Sequence, residues 1–284
     1  MVNIQPALFV SHGSPMMVIE DSPARRFLLG WHDANQIPVA ILVISAHWEN
    51  LGGPAVSTAV QPDTLYDFSG FARELYAIQY TPPGMPELAA QAIRLLQAAG
   101  FAVKSAASRG LDHGAWAPLS LMYPNADIPV FQVSLIKGAG PAEHYRLGSA
   151  LQSLRAQGVL IIGSGSLTHN LYEFMGHNRI DDPAPGWVLD FENWLEITLS
   201  DGRYDDLFNY RALAPHARRN HPTEEHLLPL FVALGAAGVQ ATAMRVHASH
   251  TYGILAMDAY LFSAATQPAI VNAEVAAQAG NNDD

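Results

Sequence analysis

The stretch Val159-Leu160-Ile161-Ile162-Gly163-Ser164-Gly165-Ser166-Leu167-Thr168-His169-Asn170 decides the fold class. Its first four residues are apolar at every position, the pattern of a strand covered on both faces. It then breaks into Gly and Ser and arrives at His169. The same grammar recurs twice. Residues 7–10 break into Ser11-His12-Gly13-Ser14-Pro15-Met16, and residues 39–46 run into His47-Trp48. Further strands are expected at 102–106, 128–135 and 239–246.

Helical patterns lie between these runs. Ser22-Pro23 opens a helix that Gly30 closes. Pro86 opens a second, with Leu88, Ile93, Leu95 and Leu96 on one face, closed by Gly100. Pro141 opens a third, through Leu147, Leu151 and Leu154 to Gly158. Proline suits the first helical turn and glycine the position just past the end. Residues 187–199 place Trp187, Phe191, Trp194 and Leu195 at helical spacing, and Thr223 is the expected N-cap of a helix over 224–234 closed by Gly235. Strands alternating with helices predict an α/β protein, a single three-layer α/β/α domain around a mostly parallel or mixed sheet. The domain is expected over residues 1–266, with an Ala-rich C-terminal extension over 267–284. Residues 61–86 and 175–186 read as long loops, and loops of that length are often functional.

Composition narrows the function. The chain has 284 residues, 49% of them hydrophobic and 14% charged, as a large core requires. A net charge of −11 argues against nucleic acid and against an anionic membrane surface. No apolar run is long enough to span a bilayer, and no signal segment is visible, so the expectation is a cytoplasmic protein. Zero Cys excludes disulfides, thiolate metal sites and cysteine nucleophiles, whereas 12 His need a location.

Four of those histidines follow strands or the loops leading from them: His12, His47, His169 and, in Leu111-Asp112-His113-Gly114-Ala115-Trp116, His113. A fifth, His226, stands at the head of a helix in His221-Pro222-Thr223-Glu224-Glu225-His226-Leu227-Leu228-Pro229-Leu230. Any one of them, taken alone, is more often an ordinary hydrogen-bonded residue. Ligands of open α/β sheets bind at the carboxyl ends of the strands, so parallel strands would gather these imidazoles on one rim. There they could bind a divalent ion, and spare ones could do acid–base work near neutral pH. His32, His144 and His216 read as surface residues. His177, His221, His247 and His250 have weaker claims on the site. Thr168 stands where a dinucleotide fingerprint needs its third Gly, and there is no G-x-S-x-G elbow or Walker A loop. Arg73, Arg109 and Arg218 are candidates for holding a substrate carboxylate.

These segments, together with Tyr66-Asp67-Phe68-Ser69-Gly70-Phe71, resemble the class III extradiol ring-cleavage dioxygenases, in the DOPA 4,5-dioxygenase-like branch. The resemblance covers roughly residues 7 to 262. It implies a mononuclear non-haem Fe(II) enzyme, with Zn(II) as an alternative metal, that inserts O₂ beside the hydroxyls of a small aromatic diol. By the same resemblance His12, His47 and His226 match metal ligands, with Glu225 as the competing third ligand. His169 matches the acid–base histidine, and His113 matches a second histidine near substrate. Ser14, Trp48, Phe68, Phe71 and Asp112 are expected to line the substrate. A zinc-dependent hydrolase on the same scaffold and a non-catalytic metal-binding protein are the alternatives. The apolar tail could mediate a homodimer.

Overall fold

The computed structural model describes residues 4–175 and 179–263. The expected extension over 267–284 and His177 lie outside the described residues. Six strands form the central sheet: β1 (Ala7–Ser11), β2 (Ala40–Ser45), β3 (Val130–Gln132), β4 (Val159–Gly165), β5 (Thr242–His247) and β6 (Ala259–Ser263). Their order is β3-β2-β4-β1-β6-β5. The first four run parallel, and β6 enters antiparallel to both β1 and β5, so the sheet is mixed. Every residue of β1, β2 and β4 is buried, which is why these strands are apolar throughout.

The helices are α1 (Pro23–Leu29), α2 (Pro86–Ala98), α3 (His113–Met122), α4 (Pro141–Leu151), α5 (Gly186–Ser200) and α6 (Leu228–Ala237), besides shorter turns. Strand β4 shows how the layers arise. Gly163 and Gly165 face α6 so closely that a Cβ would fall 2.1 Å from Pro229 O and 2.0 Å from His226 O. Ser164, between them, points the other way and donates to Gly114 O at the start of α3. Alternate residues of one strand therefore meet helices on opposite faces. Helices α6 and α4 pack together on one side, and α3 and α1 on the other. Buried Arg155 donates to the carbonyls of Gln5, Ala236 and Ala237, supplying partners to the end of α6 where the helix leaves its carbonyls unpaired. Among the described residues no helix is long and apolar enough to cross a membrane.

Several sequence expectations need correction. The strand expected at 102–106 is only Lys104–Ala106, and it pairs with Ala55–Ser57 outside the main sheet. The run 128–135 is interrupted, with a second short piece at Leu135–Ile136. Thr223 caps nothing: its hydroxyl bonds Glu225, and the helix begins at Leu228, where Pro229 fits the first turn. Gly235 lies inside that helix, which ends at Gly238. Of the elements not anticipated, two shape the surroundings of the site. One is β6, which inserts beside β1; the other is α3, whose residues are buried on nearly every side and so carry no amphipathic period. His144 is no surface residue. It is fully buried, with Nδ1 donating to Gly140 O and Nε2 accepting from the Ile136 amide.

Candidate metal centre

The carboxyl ends of β1, β2 and β4 converge on one edge. The His12 amide still bonds Gly165 O at 2.8 Å, one residue beyond β1. Gly13 then adopts φ +55°, a left-handed turn against Met257 that a side chain would strain. The Ala46 amide bonds Ser164 O at 3.0 Å, so β2 delivers His47 beside the end of β4. Beyond β4, the Ser166 amide bonds His226 O at 2.8 Å and the His169 amide bonds Asn220 O at 3.0 Å. Backbone hydrogen bonds thus bring residues far apart in sequence to one point.

One ligand atom from each of His12, His47 and His226 lies within 4.8 Å of the others. Their outward nitrogens fix which way each ring faces. Ser164 Oγ spends its hydrogen on Gly114 O, so it accepts from His12 Nδ1 at 3.0 Å. Glu225 Oε1 accepts from His226 Nδ1 at 3.0 Å. Asp67 Oδ2 lies 3.6 Å from His47 Nδ1. His12 and His226 therefore turn an Nδ1–H outward and an unprotonated Nε2 inward, and His47 turns its Nδ1 toward Asp67. His12 Nε2 and His47 Nε2 are 3.0 Å apart, and His226 Nε2 is buried without a partner. A buried unpaired nitrogen is costly. A cation among the three would pair it and take the neighbouring His12 and His47 nitrogens as further donors, so the donor set fits a divalent metal, with outer groups holding the rings as at protein metal sites generally.

Electrostatics agrees. Burial, reinforced by the neighbouring imidazoles, pushes His12 and His226 well below the usual histidine range. Burial likewise lowers His47 to about 3 and His169 to about 4. All four are neutral near pH 7, the form that ligates metals or accepts a proton. Burial opposes ionisation of Asp67, but its hydrogen bonds from His113 outweigh it and hold the carboxyl at about 2.

Around this centre the expected residues fall unevenly. His169 stacks on His226 with ring centroids 3.5 Å apart and planes 8° from parallel. His113 lies 3.9 Å from the His47 ring and 5.4 Å from the His12 ring. Phe68 meets His113 edge-on at 5.6 Å, and Phe71 packs behind Phe68. Trp48 lies under the Arg109 guanidinium at 5.0 Å. Ser14 turns its hydroxyl back to the Met16 amide. Asp112, expected at the substrate, is fully buried, and its carboxylate takes bonds from Ser45 and Arg109. It braces the corner between β2 and α3 instead. His250 bonds Glu192, and His247 bonds Ser249. Asp67, Ser164 and Gly114 were missed as supports, although Asp67 stands inside the aromatic segment that drew attention.

Two expectations follow from this packing. Gly165→Ala would drive a Cβ into His226 O, costing about 1–3 kcal/mol of stability and about 10-fold or more in metal affinity. Denaturant titration and metal competition check both. Fully buried His221 donates Nε2–H to Leu167 O, and burial lowers its pKa to about 4. Unfolded, it titrates near the ordinary value of about 6.5. Between those values the unfolded state binds more protons, so its share of stability is whole above pH 6.5 and declines toward pH 4. In metal-free protein His221→Gln should therefore lose less stability between pH 7 and 4.5, by roughly 2–3 kcal/mol, in urea titrations at the two pH values.

Comparison with known proteins gives the site its context. Residues 6–262 match the family described as the catalytic LigB subunit of aromatic ring-opening dioxygenase. A Beta vulgaris protein named 4,5-DOPA dioxygenase extradiol is 46% identical over 265 residues, covering 92% of this chain and 97% of the relative. An Escherichia coli K12 protein of the same name is 38% identical over 237 residues, covering 81% and 84%. A crystal structure of an Escherichia coli K12 protein described as uncharacterized superposes with a TM-score of 0.76 at 33% identity, covering 90% of this chain and 99% of the other. The chain belongs to the family of catalytic LigB subunits of aromatic ring-opening dioxygenases.

Proposed function

We propose that this ring-opening dioxygenase cleaves a DOPA-like catechol beside its diol, at iron(II) held by His12, His47 and His226. The observation that carries the ligand set is the inward convergence of three Nε2 atoms, one of them buried and unpaired. Glu225 bonds the outer nitrogen of His226, which favours the histidine over the carboxylate as third ligand. Iron is preferred to zinc because the reaction class consumes O₂, and zinc has no redox chemistry. The relatives named as 4,5-DOPA dioxygenases support the choice of substrate. Family membership favours ring opening over a zinc hydrolase or a non-catalytic metal protein.

When bound, iron(II) would lower the pKa of the diol hydroxyls and supply the redox capacity to use O₂. His12, His47 and His226 would hold the ion and leave it able to take the diol and O₂. His169, neutral and set against His226, accepts a hydroxyl proton at a ring nitrogen and returns it when the ring opens. Phe68, with Phe71, Tyr66 and Trp116 packed behind it, walls the ring and keeps water out. Both oxygen atoms of O₂ enter the product, a ring-opened semialdehyde acid.

Anaerobic loading with Fe(II), then L-DOPA and a panel of other catechols in air, tests the proposal. A yellow ring-fission product with one O₂ consumed per substrate is expected, and zinc-loaded protein should give none. No O₂ uptake with any catechol would overturn it.

A further inference from the structure

Asp67 lies in the aromatic loop, between Tyr66 and Phe68, and grips the start of α3 with both oxygens. Oδ1 accepts from the His113 amide at 2.9 Å, and Oδ2 accepts from His113 Nδ1 at 3.0 Å. The residue at the N-cap of α3, Asp112, makes no capping bond with its own side chain. Asp67 supplies that bond from a loop 46 positions away. A carboxylate oxygen accepts there, so the imidazole carries a proton on Nδ1. In the neutral ring Nε2 is then the acceptor. It has no hydrogen-bond partner among the described residues and is not among the completely buried unpaired atoms.

We infer that Asp67 is a positioning residue: it fixes the tautomer of His113 so that Nε2 accepts a hydrogen bond from a substrate hydroxyl, and it ties the aromatic wall to that acceptor. The inference rests on the ring-cleaving reading only for the identity of the hydroxyl. One carboxylate serves both purposes. Phe68, its sequence neighbour, faces the same His113 ring edge-on at 5.6 Å. Leu65 O, two residues earlier, accepts from Trp116 Nε1 within α3 at 2.9 Å. The wall and the acceptor are therefore tied to each other.

Asp67→Asn separates this role from simple packing. The amide has nearly the same shape, but only one of its two ends accepts. With its oxygen on the His113 amide, its NH₂ faces His113 Nδ1, which must then give up its proton. The tautomer is expected to switch to Nε2–H, and a donor would replace the acceptor facing the diol.

The decisive readout is ¹⁵N NMR of the histidine rings in zinc-loaded, diamagnetic protein, which needs no turnover. His113 should be protonated on Nδ1 in the unmodified chain and on Nε2 in Asp67→Asn. Because Asp67 also lies 3.6 Å from His47 Nδ1, turnover is compared per bound metal: in the iron-loaded enzyme Asp67→Asn should lose about 10- to 100-fold in kcat, the range for outer groups of metal sites. Asp67→Glu, still a carboxylate, should recover part of that loss. Nε2 protonation of His113 in the unmodified chain would overturn the inference, even if the variant failed to fold. So would wild-type turnover per bound metal in Asp67→Asn. Should the unmodified enzyme open no catechol, the functional reading fails while the tautomer result still judges Asp67.

Discussion

His226→Ala is expected to abolish metal binding at stoichiometric concentrations and to lower ring cleavage by about 1000-fold or more, a loss of roughly 4 kcal/mol. His226 supplies one of three inward nitrogens, and that atom has no other partner. Removing it leaves two donors, His12 and His47, too few to hold a divalent ion firmly against water. It also removes the ring on which His169 stacks and one of the hydrogen-bond donors to Glu225, leaving the Thr223 hydroxyl. The fold should survive, because His226 O, which holds the Ser166 amide, belongs to the backbone. Metal analysis after gel filtration and O₂ uptake read the two effects. A variant that retains one equivalent of metal and normal turnover would remove His226 from the ligand set.

His169→Ala should behave differently: metal retained, turnover lost by about 10²- to 10⁴-fold, the usual contribution of a positioned acid–base group. Its ring lies parallel to His226, and it is not part of the group formed by His12, His47 and His226. Burial lowers its pKa to about 4, so it is neutral at neutral pH, the form with a free nitrogen for a proton. The loss should fall on kcat more than on KM, since proton transfer belongs to the transition state. Stopped-flow measurement of the ring-fission product gives both constants. Loss of metal in His169→Ala would instead make it a ligand, alongside Glu225 and His226, with which it also forms a close group.

The rim of the sheet was legible because its strands are covered on both faces and stop abruptly. The runs before His12, His47 and His169 carry no polar alternation, and the turn residues after them mark where the chain leaves the sheet. Three of the clustered histidines could therefore be placed near one another before any side-chain geometry was known. His113 reached the site differently from expected, as the first residue of α3 rather than through a strand of the main sheet. That helix is buried on nearly all sides and contains Pro118, so neither periodicity nor breaker residues announce it. Strand β6 is an apolar run, Ala259-Tyr260-Leu261-Phe262, but its insertion beside β1 depends on a long-range pairing that no local signal encodes. Asp112, expected at the substrate from the resemblance, faces Ser45 and Arg109, while Asp67 makes the contact with the histidines. The direction a carboxylate faces is a property of packing, not of residue type.

The most direct test of the proposed centre is anomalous diffraction at the iron edge from crystals loaded anaerobically with Fe(II). The expected result is one peak per chain, bonded to Nε2 of His12, His47 and His226, with Glu225 still on His226 Nδ1. A peak on Glu225, a peak between Asp67 and His113, or full occupancy elsewhere with the three Nε2 atoms vacant would contradict it.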